Sequence, residues 1–138
     1  MSSFAGIPDR PSHERRRVML IGDSITQQSF STAHEGWGAG LADWYQRSAD
    51  VINRGYSGYN SRWMRQGMQR MFPKTPSSDD VILVTLFLGA NDAACAPSSQ
   101  HVSLLEFQNN MQHILEYLRS VYTAAVFVLI TPPQVIDR

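Results

Sequence analysis

The segment "VILVTLFL", Val81–Leu88, is apolar on successive residues and interrupted only by Thr85. A strand without alternation is expected to be covered on both faces, and such strands belong to parallel sheets held between layers of helix. "AAVFVLI", Ala124–Ile130, repeats the pattern, and shorter β-branched runs stand at Val18–Ile21 and around Val51–Ile52. Between these runs the apolar period becomes helical. From Val102 to Tyr122, the residues Leu104, Phe107, Met111, Ile114, Leu118 and Tyr122 recur at spacings of three and four and form one stripe. A second helix is expected over Gly38–Arg47 with Leu41, Trp44 and Tyr45 inward. A third is expected over Ser61–Met71, where Met64, Met68 and Met71 read as core filler rather than a cofactor site. "PKTPSSDD", Pro73–Asp80, and Ala93–Gln100 are breaker-rich loops.

Strand alternating with helix in this way gives a βαβαβαβ order, right-handed crossovers and a doubly wound α/β sheet. Ligands of such sheets bind beyond the carboxyl ends of the strands. That rule selects Gly22-Asp23-Ser24, Arg54–Asn60 and Gly89–Asp92, the loops after the first three strands. Ser24 sits where outward-pointing N–H groups favour a developing anion, which suits a nucleophile, but serine is also a favoured helix N-cap, and position alone favours the cap. Gly55 and Gly58 permit a close backbone approach or a positive φ, and equally an ordinary turn. Asn91 can donate its amide into the crevice or close an Asx-turn.

Composition narrows the classes. The chain has 138 residues, 43% hydrophobic and 17% charged, as expected for one globular domain. Lys plus Arg and Asp plus Glu balance at 12 each, so no net field favours nucleic acid or an anionic membrane. Cys95 is the single cysteine, which rules out an intrachain disulfide and points to a reducing, cytoplasmic setting. Val81–Ala90, the longest apolar run, is shorter than the roughly 18 residues of a membrane span. No HExxH or other clustered ligand spacing occurs, so neither a metal nor a cofactor is expected. Residues 1–17 read as a flexible tail and 18–138 as the domain. The Arg15–Arg17 triplet reads as a solvated charge run in preference to a nuclear address.

The phrases "GDSITQQSF", "GWGAGLADW", "NRGYSGYNSRW", "FLGANDAA", "QHVSLLEF" and "LITPP" resemble the landmarks of the SGNH, or GDSL-type, hydrolases. The likeness is strongest to the isoamyl acetate-hydrolysing esterase branch, and it runs from Val18 to Pro133. The resemblance implies a flavodoxin-like three-layer αβα sandwich with a mostly parallel sheet ordered 2-1-3-4-5, of which this sequence lacks the last strand and helices. It implies a serine esterase of lipid metabolism acting on small acetate-type esters. Ser24 would be the nucleophile, and the oxyanion hole would comprise Ser24 N–H, Gly58 N–H and the Asn91 amide. Asp23 would fix the loop as a hydrogen-bond acceptor rather than act as a base.

The same resemblance implies a general base from a late Asp-x-x-His block, because a serine hydroxyl is a weak nucleophile until its proton is taken. No aspartate here has a histidine three residues on. His13 lies in the tail, His34 reads as a solvent-facing loop residue, His101 introduces the long helix and His113 lies off its apolar stripe. A truncated chain is therefore expected, with "AVFVLIT" as an exposed edge. Its alternative is an inactive binding or interaction module of the same fold. A flavodoxin-like phosphate loop at "GDSIT" ranks last, since no Walker or Rossmann glycine spacing supports it. The resemblance leaves oligomeric state open.

Overall fold

The computed structural model describes residues 15–134. Four strands, β1 (Arg16–Gly22), β2 (Ala49–Gly55), β3 (Val81–Phe87) and β4 (Val126–Ile130), form one sheet in the order β2-β1-β3-β4. All three pairings are parallel, so every connection is a crossover. The crossovers carry α1 (Ser24–Gln27) and α2 (Trp37–Tyr45) between β1 and β2, α3 (Ser61–Met71) between β2 and β3, and α4 (Leu104–Val121) between β3 and β4. This is the expected α/β order.

Alternate residues of β1 divide the core. Val18 and Leu20 face one side, where Trp37, Leu41 and Tyr45 of α2 pack. Met19 and Ile21 face the other, with Met64 and Met68 of α3 and Ile114 and Leu118 of α4. A helical layer thus lies on each face of the sheet.

Four details depart from expectation. β1 opens at Arg16, inside the stretch read as tail, because its flanking cations are held: Arg15 donates to Gln46 O at 2.6 Å and lies 3.1 Å from Asp50, and Arg17 donates to Ser77 Oγ at 2.8 Å. Tail residues before Arg15, His13 among them, lie outside the described residues. Trp44 is 82% exposed rather than inward. The buried face of α2 is set by Gly38, which has no side chain to hold it off Ser29 and Phe30, and Trp44 stands roughly 120° round the helix from it. Leu104 is likewise exposed, being the first residue of α4, and Asn110 and Val121 join the buried stripe instead. β4 is the expected edge strand, but it is not covered on both faces. Phe127 packs towards α4, while Val126 and Val128, on the opposite face, and Leu129 are exposed among the described residues.

Candidate functional site

The ladders end level: Gly22 pairs with both Gly55 and Phe87, and Phe87 with Ile130. Ser24, Gly58 and Asn91 lie two, three and four residues beyond this row, on the loops of three adjacent strands. Ser24 is the first residue of α1 and half-buried, and the cap is Asp23, whose Oδ1 accepts from Ile25 N at 2.9 Å. The reading of Ser24 as N-cap is therefore overturned. The chain leaves β1 at Gly22, whose carbonyl accepts from Tyr56 N at 2.8 Å, and the turn into the helix falls one residue earlier than a serine cap requires. The Ser24 hydroxyl is released from capping duty.

Asp23 has no solvent exposure. Burial pushes its carboxyl above the ordinary 3.8, helped slightly by the charge of Asp92 and opposed by the backbone hydrogen bonds it accepts. A raised carboxyl pKa in the folded state contributes stability below the ordinary value, and that contribution is lost as pH rises through the folded-state value. Asp23→Ala is expected to cost about 1 kcal/mol as a lost cap. Its deficit relative to the parent should be largest near pH 3.5 and narrow towards pH 7, as measured by urea unfolding at each pH. A deficit that grows with pH would contradict the burial effect.

The helix that starts at Ser24 is bolted to β2. Asn53 Nδ2 donates to Thr26 O and Gln27 O at 3.0 and 3.1 Å, and Gln27 Oε1 accepts from Ser57 N at 2.8 Å. Gly58 has φ +81°, in the region that favours glycine, and nothing crowds it sterically. Its N–H has no hydrogen-bond partner among the described residues. Asn91 does not close an Asx-turn. Its Nδ2 donates to Tyr59 O at 2.8 Å, leaving the amide's second N–H, so the third loop is fastened to the second. The three expected positions are thus carried on loops joined to one another by hydrogen bonds.

Beneath Asn91 lies a buried polar group absent from the sequence reading. The Asp92 carboxylate accepts from Ser61 N at 3.0 and 3.1 Å and from Ser61 Oγ, and Ser61 Oγ accepts from Asn110 Nδ2 at 3.0 Å. The signal for Asn110 was present: it is a polar residue between Phe107 and Ile114 on the stripe of α4. Of the described histidines, His34 is exposed and pairs with Ser31 Oγ, His113 is exposed, and the Nδ1 of His101 lies 2.6 Å from Ala94 O. No hydrogen bond joins any of them to Ser24. A largely apolar recess of about 260 Å³, lined by Gly89, Ala93, Val102, Leu104, Phe107 and Pro132 together with Asp92 and His101, adjoins the Asn91 loop. Among the described residues no helix is long and apolar enough to cross a membrane.

The profile of the GDSL-like Lipase/Acylhydrolase family matches residues 20–138, a span containing all three loops. The chain belongs to the GDSL-like lipase/acylhydrolase family. This GDSL-family chain is 47% identical over 124 residues to the isoamyl acetate-hydrolyzing esterase 1 homolog of Bos taurus, covering 88% of this chain and 49% of that protein. It is 45% identical over 127 residues to a GDSL esterase/lipase of Arabidopsis thaliana, covering 88% and 52%. The chain spans about half the length of the curated relatives it matches. Among solved structures it is similar to AlinE4, a SGNH-hydrolase family esterase, at 25% identity and a TM-score of 0.63, over 83% of this chain and 58% of that one. The parallel sheet with helices on both faces is accordingly the fold of the SGNH-hydrolase esterases.

Proposed function

We propose that this GDSL-family chain carries the nucleophile half of a serine esterase acting on small, uncharged, acetate-type carboxylic esters. The observation that carries the reading is the fastening of the Ser24, Gly58 and Asn91 loops to one another at one level of the sheet. Ser24 Oγ attacks the ester carbonyl carbon while a base takes its proton. The carbonyl oxygen becomes an oxyanion, stabilised by Ser24 N–H, Gly58 N–H and Asn91 Nδ2. Collapse breaks the bond to the alkoxy group, which leaves as the alcohol with that proton, and water then releases the carboxylic acid and restores Ser24. The names of the relatives and the apolar recess beside Asn91 support a small ester with a hydrocarbon part.

The base implied by the resemblance, the histidine of an Asp-x-x-His block, does not occur in residues 1–138. The alternative reading is a binding or interaction module of the same fold without turnover. A fluorophosphonate probe separates the two. Labelling of residues 1–138 is expected to be weak or absent, and labelling of a version extended by the Asp-x-x-His half of a relative is expected to be strong and abolished by Ser24→Ala. Equal labelling of both versions would reveal a base within residues 1–138, and silence in both would favour the module.

A further inference from the structure

The amide joining Ser57 to Gly58 carries the N–H assigned above to the oxyanion, and the peptide on each side of it is held by a side-chain carboxamide. On one side Gln27 Oε1 accepts from Ser57 N at 2.8 Å, and on the other Gln100 Nε2 donates to Gly58 O at 2.9 Å. Gln100 is itself anchored: its carbonyl accepts from Asn60 Nδ2 at 2.9 Å, and its N–H donates to Ser98 Oγ at 3.2 Å. Gln27 closes α1, the helix that Ser24 opens, so its bond also sets the spacing between the serine and the glycine loop.

Such a grip has a reason. A glycine with open space around its missing Cβ has no steric wall to hold its φ of +81°, and the nearest atom to that position is Gln100 Nε2 at 3.7 Å. Left alone, the Ser57–Gly58 peptide can rotate at little cost, because glycine tolerates both signs of φ. Electrostatic stabilisation of an oxyanion requires donors oriented before the charge develops.

We propose that Gln27 and Gln100 are positioning residues that aim the Gly58 N–H at the oxyanion. This rests on the serine esterase reading. Each acts through the peptide and touches no reacting atom.

The test uses the version extended by the Asp-x-x-His half of a relative, labelled with ¹⁵N, and phenylboronic acid as probe. Ser24 Oγ adds to boron and passes its proton to the histidine, leaving a tetrahedral boronate anion. In the parent chain the Gly58 amide resonance is expected to shift on binding, and Ser24→Ala is expected to abolish that shift. Gln100→Met and Gln27→Met keep the side-chain length and remove the polar contact. Each is expected to shrink the boronate-induced shift of the Gly58 amide resonance and to weaken boronate binding by up to about tenfold, with the thermal midpoint little changed. A full Gly58 shift in both variants would overturn the proposal, as would a smaller shift with unchanged boronate affinity. No binding by the parent, or equal binding by Ser24→Ala, would overturn the serine reading itself and the proposal with it.

Discussion

Gly55→Ala is expected to lower stability by about 3 kcal/mol, the upper end of the cost of overpacking, and to depress the melting temperature by about 10 °C. A Cβ at this position would lie 2.0 Å from Gln27 N, 2.5 Å from Gln27 Cα and 2.6 Å from Thr26 C. All three are backbone atoms of the helix that begins at Ser24, so no side chain can swing aside. The helix must lift, and the bonds from Asn53 and Ser57 that hold it down are stretched with it. Gly40→Ala is the matching control, since nothing lies within 4 Å of its missing Cβ. It sits inside α2, where alanine is favoured over glycine by up to about 1 kcal/mol, and a small rise in the melting temperature is expected. Scanning calorimetry of the two variants checks both signs. A Gly55→Ala protein that melts with the parent would mean that α1 is not seated on β2 as described.

The contrast between Gly55 and Gly40 marks how far residue types carry. Strands that meet a buried sheet announce themselves, because burial on successive residues demands an unbroken apolar run, and β1 and β3 were readable to within a few residues for that reason. α3 was readable end to end, with Met64 and Met68 on one buried face, whereas its cap, Asn60, which accepts from Trp63 N at 2.9 Å, was not read. Trp44 and Leu104 misled because periodicity registers apolarity without registering how wide a face the neighbouring layer covers. Between Ser24, weighed as a helix cap, and His34, read as a loop residue, no element was assigned. The α1 helix and two 3₁₀ turns there, Gln28–Phe30 and Thr32–His34, are too short for any period to show. At the candidate site, the strand-end rule selected the loops and the resemblance named Ser24, Gly58 and Asn91. The fastening contacts were not legible. Gln100 and Asp92 act on residues 42 and 31 positions away, and no local pattern encodes such a partner.

Asp92→Ala is expected to cost about 3 kcal/mol, because it removes the terminus of a one-way series of hydrogen bonds. Arg65 donates to Asn110 Oδ1 at 3.2 Å, Asn110 Nδ2 donates to Ser61 Oγ at 3.0 Å, and Ser61 donates through its hydroxyl and its N–H to the Asp92 carboxylate. Asn110 and Ser61 are both buried, so neither can turn to water for a substitute. Ser61 is also the first residue of α3, where the exposed N–H groups of a helix end favour a negative charge. Only an acceptor-only group closes this series. Asp92→Asn should therefore recover part of the loss and no more: its oxygen accepts one Ser61 donor, while its NH₂ competes with the other for the same space. The order parent, Asn variant, Ala variant in urea unfolding checks the directionality. An Asn variant as stable as the parent would show that the Ser61 hydroxyl can reverse, and that the carboxylate is dispensable to the floor on which Asn91 rests.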